Sequence, residues 1–157
     1  YGMEFSSTRA MTIRRIEGGI FGNLTDIDTT ITPFEAGLEF FVNMDKGDFI
    51  GRDALMNKDK RPCLFGITCK SETPVSGSKV LEGEKIVGYI TAGIPSPTLK
   101  LGIGYVRFYE PSDWPGKQLM LGLPNGEKHT CNVVNLPFFD HEKKIVRGLD
   151  RTIPEIP

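Results

Sequence analysis

Cysteine, histidine and tryptophan are scarce: three, two and one in 157 residues. Cys63, Cys69 and Cys131 contain no CxxC pair, and an odd count leaves one thiol outside any disulfide scheme. They read as small buried hydrophobes in a reducing compartment. A zinc site needs further close ligands, and His129 and His141 are the only histidines, so no metal is expected. No run approaches the ~18 apolar residues of a membrane span. The start, YGMEFSST, has neither the basic nor the apolar region of a signal peptide. Neither sign of charge prevails: 19 basic against 20 acidic residues give a net −1. Without a basic excess there is nothing to favour nucleic acid or an anionic membrane surface. The glycines show no phosphate-binding GxGxxG context, and no Ser-His-Asp or Cys-His arrangement stands out. Internal repeats and low-complexity segments are absent as well. Position 1 is not a methionine, which suits a piece of something longer.

What is present is globular: 39% hydrophobic and 25% charged residues, enough for one domain or for one small domain plus part of another. The spacing predicts a helix through Ala10–Gly18, capped by Ser7 or Thr8, with Ala10, Ile13, Ile16 (or Glu17) and Ile20 on one buried stripe. Gly18 and Gly19 close it. Met11 and Arg15 are four apart and therefore neighbours on an adjacent stripe, and Arg14 is placed to pair with Glu17. Asn23–Thr30 is polar and turn-like.

The stretch Thr29–Leu55 organises the rest. Thr32, Pro33 and Glu35 carry the signature of a capped helical turn, with Thr32 as N-cap, Pro33 at the first position and Glu35 reaching back. Gly37 ends that turn. Leu38–Val42 reads as a short strand, Asp45–Asp48 as a charged turn, and Arg52–Leu55 as a second short helix. The charged connector MNKDKRP then marks a boundary.

Beyond it the period becomes two. Cys63, Phe65, Ile67 and Cys69 alternate with Leu64, Gly66 and Thr68, and Leu101, Ile103 and Tyr105 alternate with Gly102, Gly104 and Val106. Further strands fall at Lys79–Leu81, Lys85–Thr91, Gln118–Leu121 and His129–Val134, the last two joined by a hairpin at Asn125-Gly126. Six strands in about 75 residues with no intervening helix predict a small closed antiparallel barrel, in which Gly102 and Gly104 suit a tightly coiled wall. The fold class is thus mostly β: a six-stranded, Greek-key-like antiparallel barrel preceded by a smaller α+β segment. Trp114 reads as a loop anchor.

Of the groups able to do chemistry, Asp26, Asp28, Asp45 and Asp48 fall in turns, where Asp ordinarily caps backbone. Arg15, beside an apolar stripe, calls for a carboxylate partner, with Glu17 and Glu35 as candidates.

TPFEAGLEFFV followed by DFIGRDAL, then VGYITAGIPSPTLKLGIGYV, then VVNLPFF, resembles the C-terminal half of the tetrahydrofolate-dependent aminomethyltransferase family. That family includes the glycine-cleavage T-protein and the folate-binding parts of dimethylglycine and sarcosine dehydrogenases. Three ordered blocks cover most of the chain from Ala10 to about Asp140. The resemblance implies that residues 1–58 end a folate-binding domain, that 59–140 form the accessory barrel, and that 141–157 are an extended tail.

Arg14-Arg15-Ile16-Glu17-Gly18-Gly19 lines up with the family's Leu-Arg-Leu-Glu-Ala-Gly, which implies that Arg15 faces the cofactor, whose carboxylates and rings suit a planar guanidinium. Met11 stands where T-proteins carry a second arginine. The dimethylglycine-dehydrogenase branch has Ala-Met there, like Ala10-Met11, which favours a demethylating or methyl-transferring relative. The Ser96-Pro97-Thr98 turn matches the family and reads as structural. Pro137–Phe139 resembles the final barrel strand, after which His141 and Lys143 become cofactor-side candidates. Met11, Arg15 and Lys143 are therefore the expected tetrahydrofolate contacts.

The family's catalytic aspartate and pterin-holding glutamate have no counterpart here, so no catalytic residue is assigned and the chain alone is expected to be inactive. Implied partners are folate, a small amine, ether, thioether or sulfonium donor, and the upstream half of the same polypeptide. No nucleic acid or membrane is implied, and the compartment would be cytoplasm or mitochondrial matrix. The rival readings are a non-catalytic folate-binding protein, although the cysteine motif of the iron–sulfur maturation relatives is missing, and a barrel that docks on a lipoyl-bearing carrier or another subunit.

Overall fold

A computed structural model describes residues 7–145 and 147–151 of the chain. Six strands, β1 Leu64–Cys69, β2 Lys79–Glu82, β3 Lys85–Ser96, β4 Leu101–Phe108, β5 Gln118–Gly122 and β6 Lys128–Val134, close into an antiparallel barrel in the order β1-β4-β3-β2-β5-β6. Closure is made by β1, which pairs with β4 on one side and with β6 on the other. The expected fold class is what forms. Alternation is the cause: Phe65, Ile67, Cys69, Val80, Ile90, Val106, Leu121 and Val133 turn inward and make one buried cluster. All three thiols are buried and free. Burial pushes Cys63 up to about 11 and Cys131 up to about 12, so both stay protonated. Trp114 closes one end as a loop anchor. Its ring stacks on Phe108 with centroids 4.0 Å apart, and its Nε1–H donates to the Glu110 carbonyl at 3.0 Å.

β3 runs five residues past its expected end at Thr91. A register shift between Ile90 and Ala92 explains the difference. At this bulge the strand bends, so its first part pairs with β2 while its second continues along β4 as far as Ser96.

The barrel glycines have a more specific cause than coiling. The segment Glu72–Pro74 lies directly over the wall, and a Cβ on Gly93 would overlap the Pro74 carbonyl, while one on Gly102 would overlap that of Glu72. A Cβ on Gly104 would come within 2.7 Å of the Ala92 carbonyl oxygen.

Ahead of the barrel, α1 (Thr8–Glu17) starts at Ser7, whose side chain accepts the Ala10 amide, and lies across β3 and β4. Ile16 and Glu17 are its buried residues; Ile20 is exposed, because Gly18 and Gly19 end the helix before Ile20 can continue the stripe. The capping box forms as expected, with the Glu35 amide donating to Thr32 Oγ1 at 3.2 Å and the Thr32 amide to Glu35 Oε2 at 2.8 Å. α2 (Arg52–Met56) also forms.

Three local expectations are corrected. Leu38–Val42 is not a strand; Glu39–Phe41 is a single 3-10 turn closed by Phe41 N–H to Leu38 O and Val42 N–H to Glu39 O. Among the described residues no strand lies beside it, so the backbone satisfies itself locally. Pro137–Phe139 is not a barrel strand either, since β6 ends at Val134 and β1 already has its two neighbours. Residues 141–145 and 147–150 are tied by hydrogen bonds into turns where an extended course was expected, and residues 146 and 152–157 of that segment lie outside the described residues.

Gly93→Ala should lower stability by about 1–3 kcal/mol, the usual cost of forcing extra volume against a packed wall. Gly122→Ala should cost much less, because its nearest neighbour is the end of the Leu81 side chain at 3.2 Å. Urea denaturation of the two variants makes the comparison.

Candidate functional site

Two buried carboxylates hold α1 on the barrel. Asp26, with no exposed side-chain surface, accepts Arg15 Nη1 at 2.8 Å and the Gly22 amide at 2.7 Å on Oδ2, and the Thr91 hydroxyl at 2.7 Å on Oδ1. Thr91 is the residue at the β3 bulge. Glu17 accepts the Ser96 hydroxyl on Oε1 at 2.6 Å, and Ser96 in turn accepts the Leu99 amide at 3.0 Å. Neither Glu17 nor Glu35 is the partner of Arg15, and Glu17 does not pair with Arg14. Glu17 is turned toward β3, Glu35 is committed to its cap, and the tight turn after Gly22 delivers Asp26 instead.

Tyr105 of β4 completes the joint. Fully buried, it holds its hydroxyl 3.1–3.2 Å from the carbonyls of Arg15 and Ile16 in the last turn of α1 and of Ile20 just beyond it. Burial is the main cause that drives its pKa strongly upward, so it remains a donor.

The chain leaving the barrel returns to the same place. The Phe139 amide donates to Glu17 O at 3.0 Å, and Lys143 Nζ to Gly18 O at 3.2 Å. Asp140 secures this return, accepting the Lys144 and Ile145 amides at 2.7 and 3.1 Å. Between α1 and the returning chain is a cleft of about 460 Å³, with Met11, Ile20, Phe139 and Ile145 as apolar walls and Arg14, Arg15 and Lys143 as cations. The structure thus brings Met11, Arg15 and Lys143 into one cleft, whereas His141 is exposed and does not line it. A second groove of about 450 Å³ follows another flank of α1, between Arg9 and Lys100, and contains none of the three.

Asp26, Thr91, Ser96 and Tyr105 carry the site's framework, and sequence reasoning gave none of them that role. Asp26 looks like any turn aspartate, and only the pairing of β3 with β4 carries Thr91 and Ser96 under α1. One group of potential metal ligands occurs among the described residues. Glu72, Glu127 and His129 hold donor atoms within 4.8 Å of one another, but both carboxylates are exposed.

Comparison with known proteins bears on this arrangement. Residues 63–140 match the family model described as the glycine cleavage T-protein C-terminal barrel domain. The barrel belongs to that family. The chain is 39% identical over 131 residues to an aminomethyltransferase of Thermoanaerobacter pseudethanolicus, a match covering 80% of this chain and 35% of that protein. A probable aminomethyltransferase of Pyrococcus furiosus is 33% identical over 157 residues, covering 91% of this chain and 39% of its own. The crystal structure of glycine cleavage system aminomethyltransferase T from Bartonella henselae superimposes with a TM-score of 0.71 at 25% identity, covering 82% of this chain and 37% of that one. The chain therefore spans well under half the length of these relatives.

Arg15→Ala should cost about 1.5–3 kcal/mol, the worth of a hydrogen bond to a charged group, because Asp26 loses its cation while keeping the Gly22 amide and the Thr91 hydroxyl. Lys117→Ala, which opens the exposed pair with Glu82 at 3.0 Å, should cost no more than ~1 kcal/mol. Chemical denaturation of both variants at pH 7 measures the difference.

Proposed function

We propose that this chain is the C-terminal portion of a tetrahydrofolate-dependent one-carbon transferase, and that the cleft between α1 and the returning chain forms one wall of its folate site. The observation carrying this reading is the convergence of Met11, Arg15 and Lys143 on one cleft from positions up to 132 residues apart (143 − 11). The lining fits the group. A cofactor with electron-rich rings and anionic glutamyl carboxylates matches a lining of apolar walls and the cations Arg14, Arg15 and Lys143, with Glu17 and Asp140 also at its edge.

In this reading residues 1–58 close the folate-binding domain, 59–140 are the accessory barrel, and 141–157 the tail. Tetrahydrofolate supplies the nitrogen that takes up the one-carbon unit from an amine, ether, thioether or sulfonium donor. The chain's own residues bind and orient. Arg15, fixed by Asp26, presents its guanidinium without rotamer freedom, and Lys143 is held beside the C-terminal carbonyls of α1. Met11 supplies apolar contact where a second cation would favour a carboxylate-bearing donor, which supports demethylation or methyl transfer over glycine cleavage. No residue here is assigned to proton transfer, so activity depends on the preceding part of the polypeptide, and this chain by itself is inactive. Cytoplasm or mitochondrial matrix suits the three unpaired thiols.

Calorimetric titration with tetrahydrofolate tests the reading. The chain alone should bind weakly or not at all. Joined to an upstream folate-binding half it should bind, and Arg15→Lys, which keeps the charge but loses the planar fork, should weaken that binding by roughly tenfold. An unchanged affinity in the joined Arg15→Lys protein, or no binding by the joined wild type, would overturn the reading.

A further inference from the structure

Along β6 alternate residues share a face, and His129 shares the inward one with Cys131 and Val133. Cys131 and Val133 belong to the apolar core, while His129, near the start of the strand, is a polar side chain only 21% exposed. Its Nε2 is shut off from solvent and has no hydrogen-bond partner. A buried polar atom left unpaired calls for a cause. The other ring nitrogen is engaged: Nδ1 lies 3.1 Å from the Ser71 hydroxyl, which is itself 3.6 Å from the Cys69 thiol. Nε2 instead faces Glu127 Oε2 at 3.5 Å without the alignment of a hydrogen bond. Glu72 completes the group, since one ligand atom from each of Glu72, Glu127 and His129 falls within 4.8 Å of the other two. Glu72 Oε1 accepts the Thr73 amide at 2.7 Å, which leaves Oε2 open. Among the described residues no lysine or arginine pairs with either carboxylate.

We propose that Glu72, Glu127 and His129 form a site for one first-row divalent cation of the zinc class, and that the bound ion clips the Glu72–Pro74 segment to the β5–β6 hairpin. Zinc takes nitrogen and oxygen ligands at ~2.0–2.2 Å, which sets two ligands of a tetrahedral ion roughly 3.3–3.6 Å apart. Nε2 and Glu127 Oε2 already stand at that separation. Glu72 is exposed, so rotation of its side chain closes the remaining distance. Exposure of both carboxylates also supplies the entry path that a metal site needs, and three protein ligands leave a position for water. Ser71 takes the part usual for the outer partner of a metal-bound imidazole. With Nδ1–H donating to Oγ, the ring is fixed and Nε2 keeps its lone pair toward the carboxylates. His129 is further held by its pairing with Leu121 in the sheet. The three thiols are buried and offer no competing ligands at the surface. Since the Glu72 and Pro74 carbonyls lie over Gly102 and Gly93, the clip secures the cover of the barrel wall. Spacing along the chain gives no sign of the set, because 55 residues separate Glu72 from Glu127 (127 − 72). Nothing in the proposal depends on the folate reading.

The test is calorimetric titration of the 157-residue chain with zinc chloride, without folate. One zinc per chain should bind, and the thermal midpoint should rise with zinc concentration. Losing even an outer partner of a metal site costs roughly 10–100-fold in affinity, and losing a ligand costs at least as much. His129→Ala should therefore weaken binding by about 100-fold or more, and Glu72→Gln and Glu127→Gln by about tenfold or more each. His141→Ala, outside the set, should leave it unchanged. Both glutamates are exposed, so their variants keep the fold whatever becomes of His129→Ala. Magnesium chloride should bind at least about 100-fold more weakly than zinc, as a hard ion that prefers oxygen to imidazole. Equal affinity for the two metals would mean carboxylate attraction alone and would overturn the proposal. So would no binding by the wild type, binding undiminished in His129→Ala, or binding that dispenses with either glutamate or needs His141.

Discussion

A carboxylate taken wholly out of water has to be matched from several sides, and Asp26 is matched by an arginine, a backbone amide and a threonine hydroxyl drawn from three parts of the chain. Hydrogen bonds to a charged group contribute about 1.5–3 kcal/mol each when made, and the desolvation penalty returns in full when they are broken. Asp26 therefore acts as a lock between layers. Arg15 belongs to α1, Gly22 to the turn that follows, and Thr91 to the wall of the barrel. Glu17 and Ser96 repeat the device nearer the end of β3, and Tyr105 holds the terminal carbonyls of α1 between them. Since α1 is only ten residues long, its position depends on these ties more than on its own stability.

The cleft follows from that lock. With α1 fixed, its C-terminal carbonyls become a landing place for the chain leaving β6, and Phe139 and Lys143 bond to them in succession. Residues at opposite ends of the sequence are thus brought to a common surface without belonging to one motif. The β3 bulge is a necessary part of the arrangement, since it is where Thr91 meets Asp26. The segment that turns Thr91 toward α1 also lets the strand run on to Ser96, so one irregularity serves both ties.

The barrel was legible in the sequence because period-two alternation and the Asn125-Gly126 turn are local signals that burial then reinforces. The Thr32–Glu35 cap was legible for the same reason: donor and acceptor are three residues apart. The partner of Arg15 was not. Glu17 is nearer in sequence, and nothing local distinguishes Asp26 from Asp28, which stays half-exposed beside Arg107 at 3.5 Å. Burial of Asp26 is decided by the β3–β4 pairing, a non-local fact. Leu38–Val42 failed in the opposite way. Its residue types favour a strand, but strand formation needs a neighbour, and among the described residues there is none. Gly93 and Gly102 were visible as glycines, while their cause, the Glu72–Pro74 segment lying on the wall, depends on how a loop folds back.

If Asp26 is the lock, it and Thr91 must act as a unit. The most direct measurement is a double-mutant cycle of Asp26→Asn and Thr91→Val, with unfolding free energies from urea titration at pH 7. The account predicts that the two losses do not add, with a coupling of at least about 1 kcal/mol. Losses that add to within ~0.5 kcal/mol would mean that α1 and the barrel are held together by something else.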